Sequence, residues 1–93
     1  MTKPRKLHQL TGTITFALLS STKTKKPFYY LEIEENFWER SKTTIYAFAD
    51  LVSQDLWNDL TAQNYPGKEY HFFCEKRVRG WRLRSWEEVD KVA

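Results

Sequence analysis

The chain has 93 residues, enough for one small domain, and 15 Lys and Arg against 12 Asp and Glu give a net charge of +3. Hydrophobic residues make up 41%, and Gly and Pro number three each, which excludes disordered, collagen-like and low-complexity chains. Aromatic residues are unusually abundant, with six Phe, five Tyr and four Trp. A domain of this size buries only about 65% of its unfolded surface, so we expect some of these rings to face outward.

The remaining composition narrows the class of protein. Cys74 is the single cysteine, so no internal disulfide forms, and no Cys or His cluster has the spacing of a zinc site. The basic start of the chain lacks the apolar segment of a signal peptide, and no run approaches the ~18 apolar residues of a membrane span. We therefore expect a soluble, cytoplasmic protein without metal or cofactor.

The first predicted strand runs from Leu10 to Leu18, where apolar residues alternate with threonines. Gly12 within it indicates a bend or a close backbone approach. Residues 20–26 (SSTKTKK) and the following Pro27 predict a basic loop. The positions of this strand that we expect to point inward are Leu10, Gly12, Ile14, Phe16 and Leu18.

The second and third strands, residues 28–34 and 43–49, show the same period of two. A charged connection, residues 35–42 (ENFWERSK), joins them. The expected inward positions are Tyr29, Leu31, Ile33, Ile45, Ala47 and Ala49. The opposite face then carries Phe28, Tyr30, Glu32, Glu34, Thr44, Tyr46 and Phe48.

A change of period marks the only predicted helix. Val52, Leu56 and Leu60 recur every four residues, which indicates an amphipathic helix of about three turns. We expect Asp50 or Ser53 to cap its start and Asn64 to end it.

Two further strands follow a predicted type II turn at residues 65–68 (YPGK). Residues 77–80 (RVRG) form a basic hairpin tip between them. The expected inward positions are Tyr70, Phe72 and Cys74 in the fourth strand and Trp81, Leu83 and Ser85 in the fifth. Arg82, Arg84 and Glu75 are expected to point outward, and Trp86 fits either side.

The element order β-β-β-α-β-β predicts an all-β fold with one helix. This is the layout of the five-stranded Greek-key OB-fold barrel, spanning residues 8–90 after a basic tail at residues 1–7. A generic α+β sheet covered by one helix is the structural alternative.

Three segments resemble the OB-fold single-stranded DNA-binding protein family. Residues 10–14 (LTGTI) resemble its opening strand, residues 45–52 (IYAFADLV) its third strand entering the helix, and residues 65–72 (YPGKEYHF) its turn into the fourth strand. The resemblance implies that Phe48 occupies the family's base-stacking position, with Tyr46 on the same face. Cys74 replaces a common glycine and the chain stops soon after the fifth strand, so the similarity is to small tail-less, primosomal or accessory members.

Such proteins bind single strands by stacking bases on aromatic rings beside a basic groove. In OB folds this surface is the face of strands 2 and 3, flanked by the loops joining strands 1–2 and 4–5. We expect Phe28, Tyr30, Tyr46 and Phe48 to stack bases, with Trp38 as a clamp or, equally, as a plug under its loop. The basic residues expected to contact phosphates are Lys23, Lys25, Lys26, Lys76, Arg77, Arg79, Arg82 and Arg84.

The sequence thus predicts a non-enzymatic protein that binds single-stranded DNA, or RNA, with little sequence preference. Its expected role is accessory, in DNA replication, repair or recombination, and we expect a homodimer or higher oligomer. Glu32 and Glu34 on the same face are a complication because they repel phosphates. Two alternatives remain open. The same rings could serve a protein–protein interaction or oligomerisation module, or the inward and outward faces of these strands could be exchanged, which would place the rings inside.

Overall fold

The structure, a computed structural model, describes residues 6–35, 41–78 and 80–89. Two residues of the predicted site, Trp38 and Arg79, lie outside these ranges. The described residues form five strands and one helix, in the predicted order. They are β1 (His8–Ser21), β2 (Pro27–Glu35), β3 (Ser41–Phe48), α1 (Gln54–Thr61), β4 (Glu69–Arg77) and β5 (Gly80–Glu88).

The five strands close into a barrel with the order β1-β2-β3-β5-β4. β1 has 14 residues and pairs antiparallel with β4 through its first half and with β2 through its second half. Closure is completed by a short parallel pairing of β3 with β5, at Ile45↔Trp81 and Tyr46↔Arg82. The predicted all-β class with one helix is therefore confirmed as a closed five-stranded barrel, and an open sheet is excluded.

The core follows the predicted alternation in β2 and β3. No surface is exposed at Leu31, Ile33, Ile45 and Ala47. The inward and outward faces of these two strands are therefore as predicted and not exchanged. The same cluster includes residues of the helix and of the last two strands: Leu56 and Leu60 of α1, Tyr70, Phe72 and Cys74 of β4, and Leu83 of β5. Because alternate side chains of a strand point to opposite faces, Phe28, Tyr30, Tyr46 and Phe48 are directed outward.

A bulge in β1 exchanges the inward and outward side chains that we predicted for the second half of the strand. Ile14 pairs with Ile33, but Phe16 pairs with Glu32, so Thr15 is an extra residue. An inserted residue shifts the period of two by one position. Phe16 and Leu18, predicted to point inward, are instead 47% and 54% exposed, and Ala17 packs against the core.

A second irregularity alters β5. Phe73 pairs with Ser85 while Cys74 pairs with Leu83, so Arg84 has no partner residue in β4. Ser85, predicted to point inward, is therefore exposed. Trp86 turns towards the core and stacks on Tyr70, with ring centroids 4.3 Å apart and an interplanar angle of 17°.

The helix is shorter than predicted, with eight residues. Ser53 caps its start, because its Oγ accepts a hydrogen bond from Leu56 N at 3.2 Å. The helix ends at Thr61 rather than near Asn64, since Gln63 adopts a positive φ of 56°. Within the described ranges, no helix is long and apolar enough to cross a membrane.

The predicted turn at residues 65–68 is present. Lys68 N donates to Tyr65 O at 3.2 Å, and Gly67 has the positive φ, 76°, that the third position of a type II turn requires.

Gly12 provides the close backbone approach that its position in the strand indicated. A Cβ atom there would collide with the backbone carbonyl oxygen of Glu34, and no flexible side chain is available to yield. We expect Gly12→Ala to lower the free energy of unfolding by about 2–3 kcal/mol, measured by urea denaturation. Gly67→Ala is the matched control, because its Cβ meets no atom and only its positive φ causes strain, about 1 kcal/mol. An equal or smaller loss for Gly12→Ala would contradict the predicted collision.

Two buried groups predict a loss of stability at high pH. Burial raises the pKa of the Cys74 thiol from 9.0 to about 12. Burial, with the charges of Glu88 and Asp59, raises the pKa of Tyr70 from 10.0 to about 12. The unfolded chain releases these protons at lower pH than the folded chain, so the unfolded state is favoured as pH rises.

We therefore expect the free energy of unfolding to be fully retained below about pH 9 and to fall progressively towards pH 12. Urea denaturation at a series of pH values measures the slope. Cys74→Ala removes the thiol, so the decline in that variant should be shallower and begin closer to pH 10, the ordinary pKa of tyrosine. Identical slopes in the two proteins would contradict the assignment to Cys74.

Candidate nucleic-acid interface

The pairing of β2 with β3 brings four rings together on the outside of the barrel. Phe28 lies directly opposite Phe48, and Tyr30 directly opposite Tyr46. The ring centroids of these pairs are 5.3 Å and 5.7 Å apart, and those of Phe28 and Tyr46 are 6.1 Å apart. All four rings are half-buried, so each keeps part of its surface open. The sequence therefore placed these side chains on the correct face.

Phe16 of β1 is a fifth member that sequence reasoning missed. Its ring meets the edge of Tyr30, with centroids 6.1 Å apart and an interplanar angle of 74°. The bulge at Thr15 turns it outward, and nothing in the alternating sequence of β1 marks that position as irregular. We call the set Phe16, Phe28, Tyr30, Tyr46 and Phe48 the aromatic face.

A groove of about 270 Å³ runs beside three of these rings. One side of the groove is formed by Phe28, Tyr46 and Phe48, and the remainder by Thr22, Arg77, Gly80, Trp81 and Arg82. Gly80 lines the groove next to Tyr46: a Cβ atom there would only make an ordinary contact with the tyrosine ring, at 3.4 Å, but the φ of 136° strains any other residue. The sequence indicated Gly80 as a hairpin residue but not as part of the site.

Two arginines of the predicted set reach this groove. The guanidinium carbon of Arg82 lies 5.8 Å from the ring centroid of Phe48, within the range of a cation–π interaction. Arg77 lines the same groove from the end of β4. The parallel pairing of β3 with β5 places Arg82 beside Tyr46, so basic and aromatic groups share one surface.

A buried carboxylate, Glu75, contacts both Arg77 and Arg84. Glu75 is 3% exposed although it pairs with Arg82 on the outer face of the barrel. Arg84 Nη1 donates to Glu75 Oε1 at 2.6 Å, and Arg77 Nη2 donates to Glu75 Oε2 at 3.3 Å. Arg84 is thus directed to Glu75 and does not line the groove. Alternation alone placed Glu75 at the surface, so its burial could not be predicted from the sequence.

The four lysines of the predicted site are exposed and lie outside the groove lining. Lys26 Nζ is 3.7 Å from Asp50 Oδ2, a contact between two solvated side chains. Lys23 and Lys25 belong to the loop after β1, whose first residue, Thr22, does line the groove. Lys76 is exposed on β4 beside Arg77.

The other end of the aromatic face is acidic. Glu32 lies opposite Phe16 and accepts a hydrogen bond from Tyr30 Oη at 3.1 Å. Glu34 lies on the same face two residues further along β2 and pairs with Lys42 in the register of β2 and β3. The surface therefore changes from basic near the groove to acidic at the end of β2.

The described residues contain no group of three or more His, Cys, Asp and Glu side chains that could hold a metal ion. Cys74 is fully buried, and burial raises the pKa of its thiol to about 12, so it stays protonated and unreactive at neutral pH.

No protein-family model, curated protein or solved structure matches the chain. A function for this surface is therefore inferred from its geometry and chemistry.

Proposed function

We propose that this barrel is a Greek-key OB fold that binds single-stranded DNA without catalysing a reaction. The strand order β1-β2-β3-β5-β4, closed by a parallel β3–β5 pair, supports this assignment of the fold. The helix between β3 and β4 supports it further. An accessory role in DNA replication, repair or recombination is part of the same proposal.

One observation carries the proposal: aromatic rings and arginines line the same groove. Each base stacked on a ring contributes about 1–3 kcal/mol and does so for any sequence, since every base has a π-face. Phe28, Tyr46 and Phe48 offer such faces, and Arg77 and Arg82 supply the positive charge for the phosphates.

The charge distribution favours one path for the strand. Phosphates are attracted to the basic end, formed by the groove and the loop containing Lys23, Lys25 and Lys26, and repelled by Glu32 and Glu34. The proposed path therefore crosses the aromatic face near Phe28 and Phe48. Glu32 and Glu34 limit its extent along β2.

Intrinsic fluorescence provides a direct test, because Trp81 lines the groove. We expect oligo(dT) of about 15 nucleotides to quench the emission, and the affinity to fall between about 50 and 200 mM salt as counterions are released. Parallel titrations with oligo(U) and duplex DNA compare the three ligands. Absence of quenching at low salt, or an affinity indifferent to salt, would contradict the proposal.

Phe48→Ala tests the stacking role within the same assay. We expect the affinity for oligo(dT) to fall about 5- to 150-fold, since one stacked base is lost. Phe73→Ala is the matched control: Phe73 is also half-buried on a strand of the barrel, but it does not line the groove. An equal loss of affinity in the two variants would mean that Phe48 acts through stability and not through stacking.

A protein-interaction or oligomerisation module is the second candidate. It is favoured by Phe16 and Leu18, which lie exposed on β1 next to the rings. Light scattering of the wild type and of Phe48→Ala separates the two functions. Loss of oligomers with DNA binding intact assigns the rings to an interface, whereas loss of DNA binding at unchanged mass assigns them to stacking.

A further inference from the structure

We propose that Glu75 is the positioning residue of the groove, holding Arg77 so that it and Arg82 form a ready-made site for one phosphate group. This inference rests on the proposed function and gives its phosphate contacts a location. The Glu75 carboxylate lies beside a proposed phosphate site, where charge complementarity alone would favour no negative side chain.

The burial of Glu75 requires compensation. A carboxylate removed from water is costly unless charged hydrogen-bond donors surround it. Glu75 lies on the outer face of the barrel, yet it is 3% exposed because arginine side chains cover it. The carboxylate is therefore held by charged partners, and it restricts those partners in return.

The contacts fix two guanidinium groups relative to each other. Each carboxylate oxygen of Glu75 accepts a hydrogen bond from a different arginine: Oε1 from Arg84 and Oε2 from Arg77. Arg84 occupies the irregular position of β5, where the register shift leaves it without a partner residue. Bulges of this kind redirect a side chain, here towards Glu75.

Arg77 and Arg82 retain hydrogen-bonding capacity beside the groove. The Arg77 side chain keeps 34% of its surface exposed while its Nη2 contacts Glu75, and the guanidinium group of Arg82 lies over the Phe48 ring at the groove. A guanidinium group has five N–H donors, and phosphate oxygens are acceptors that match its geometry. The groove beside these two arginines has a volume of about 270 Å³.

Substitution of Glu75 distinguishes positioning from simple charge, because the two effects have opposite signs. Glu75→Gln removes a negative charge near the phosphate, so Coulomb attraction alone predicts tighter binding. Loss of positioning predicts weaker binding, because the arginines must then be ordered on association. Glu75→Asp keeps the charge but withdraws the carboxylate by one methylene, so only the positioning effect applies.

We expect Glu75→Gln to weaken oligo(dT) binding about fivefold and Glu75→Asp about threefold, measured by the fluorescence titration at low salt. Glu87→Gln is the matched control, since it removes an exposed charge that lies outside the groove lining. Its affinity should stay within about twofold of the wild type. Unchanged or tighter binding by Glu75→Gln would overturn the proposal; if that variant fails to fold, Glu75→Asp decides by the same criterion.

Nuclear magnetic resonance of the arginine Nε–H groups tests the arrangement without DNA. In the wild type we expect sharp signals from Arg77 and Arg84 that broaden in Glu75→Gln while the backbone amide spectrum is retained. We also expect inorganic pyrophosphate to shift the Arg77 and Arg82 signals of the wild type. Arginine signals identical in both proteins would overturn the positioning role, and absence of a pyrophosphate shift would overturn the phosphate site.

These readouts separate the two proposals. A wild-type protein that shows ordered arginines and a pyrophosphate response but does not bind oligo(dT) would contradict the proposed function and support the phosphate site. A protein that binds oligo(dT) normally after Glu75→Gln would support the function and overturn the role of Glu75.

Discussion

Closure of the barrel depends on one strand pairing with two neighbours. β1 pairs with β4 through residues 8–13 and with β2 through residues 12–21, so the two registers overlap at Gly12 and Thr13. At this crossover the backbone of β2 approaches so closely that a side chain at Gly12 would meet the carbonyl of Glu34. The absence of a Cβ atom thus allows β1 to bend from one neighbour to the next. The closed barrel, in turn, sets which residues of every other strand face outward.

Two local irregularities then determine the character of the outer surface. The bulge in β1 brings Phe16 to the rings of β2 and β3, and the register shift in β5 directs Arg84 to Glu75. In both cases the insertion of one residue exchanges inner and outer positions for the rest of the strand. The inserted residue in β1 thus extends the aromatic face, and the one in β5 places Arg84 against Glu75. The groove lies between these two regions.

The surface also combines opposing electrostatic tendencies. Arg77 and Arg82 lie next to half-buried aromatic rings, Glu75 is buried against Arg77, and Glu32 lies at the far end of the rings. The buried carboxylate orders the positive groups that it partly neutralises, because each of its oxygens accepts from a different arginine. In the proposed complex, the half-buried carboxylates of Glu32 and Glu34 would restrict the region that a polyanion can occupy. Position, more than net charge, therefore governs what this face can bind.

The alternation of apolar residues in β2 and β3 was sufficient to predict their core and the four outward rings, because a regular antiparallel pair preserves the period of two. Spacing also predicted the element order, the Ser53 cap and the turn at Gly67. The sequence could not predict Phe16 outward or Trp86 inward, since bulges depend on how neighbouring strands pair. The burial of Glu75 required the tertiary structure for a related reason. Its arginine partners meet it only when the hairpin of β4 and β5 forms with its shifted register.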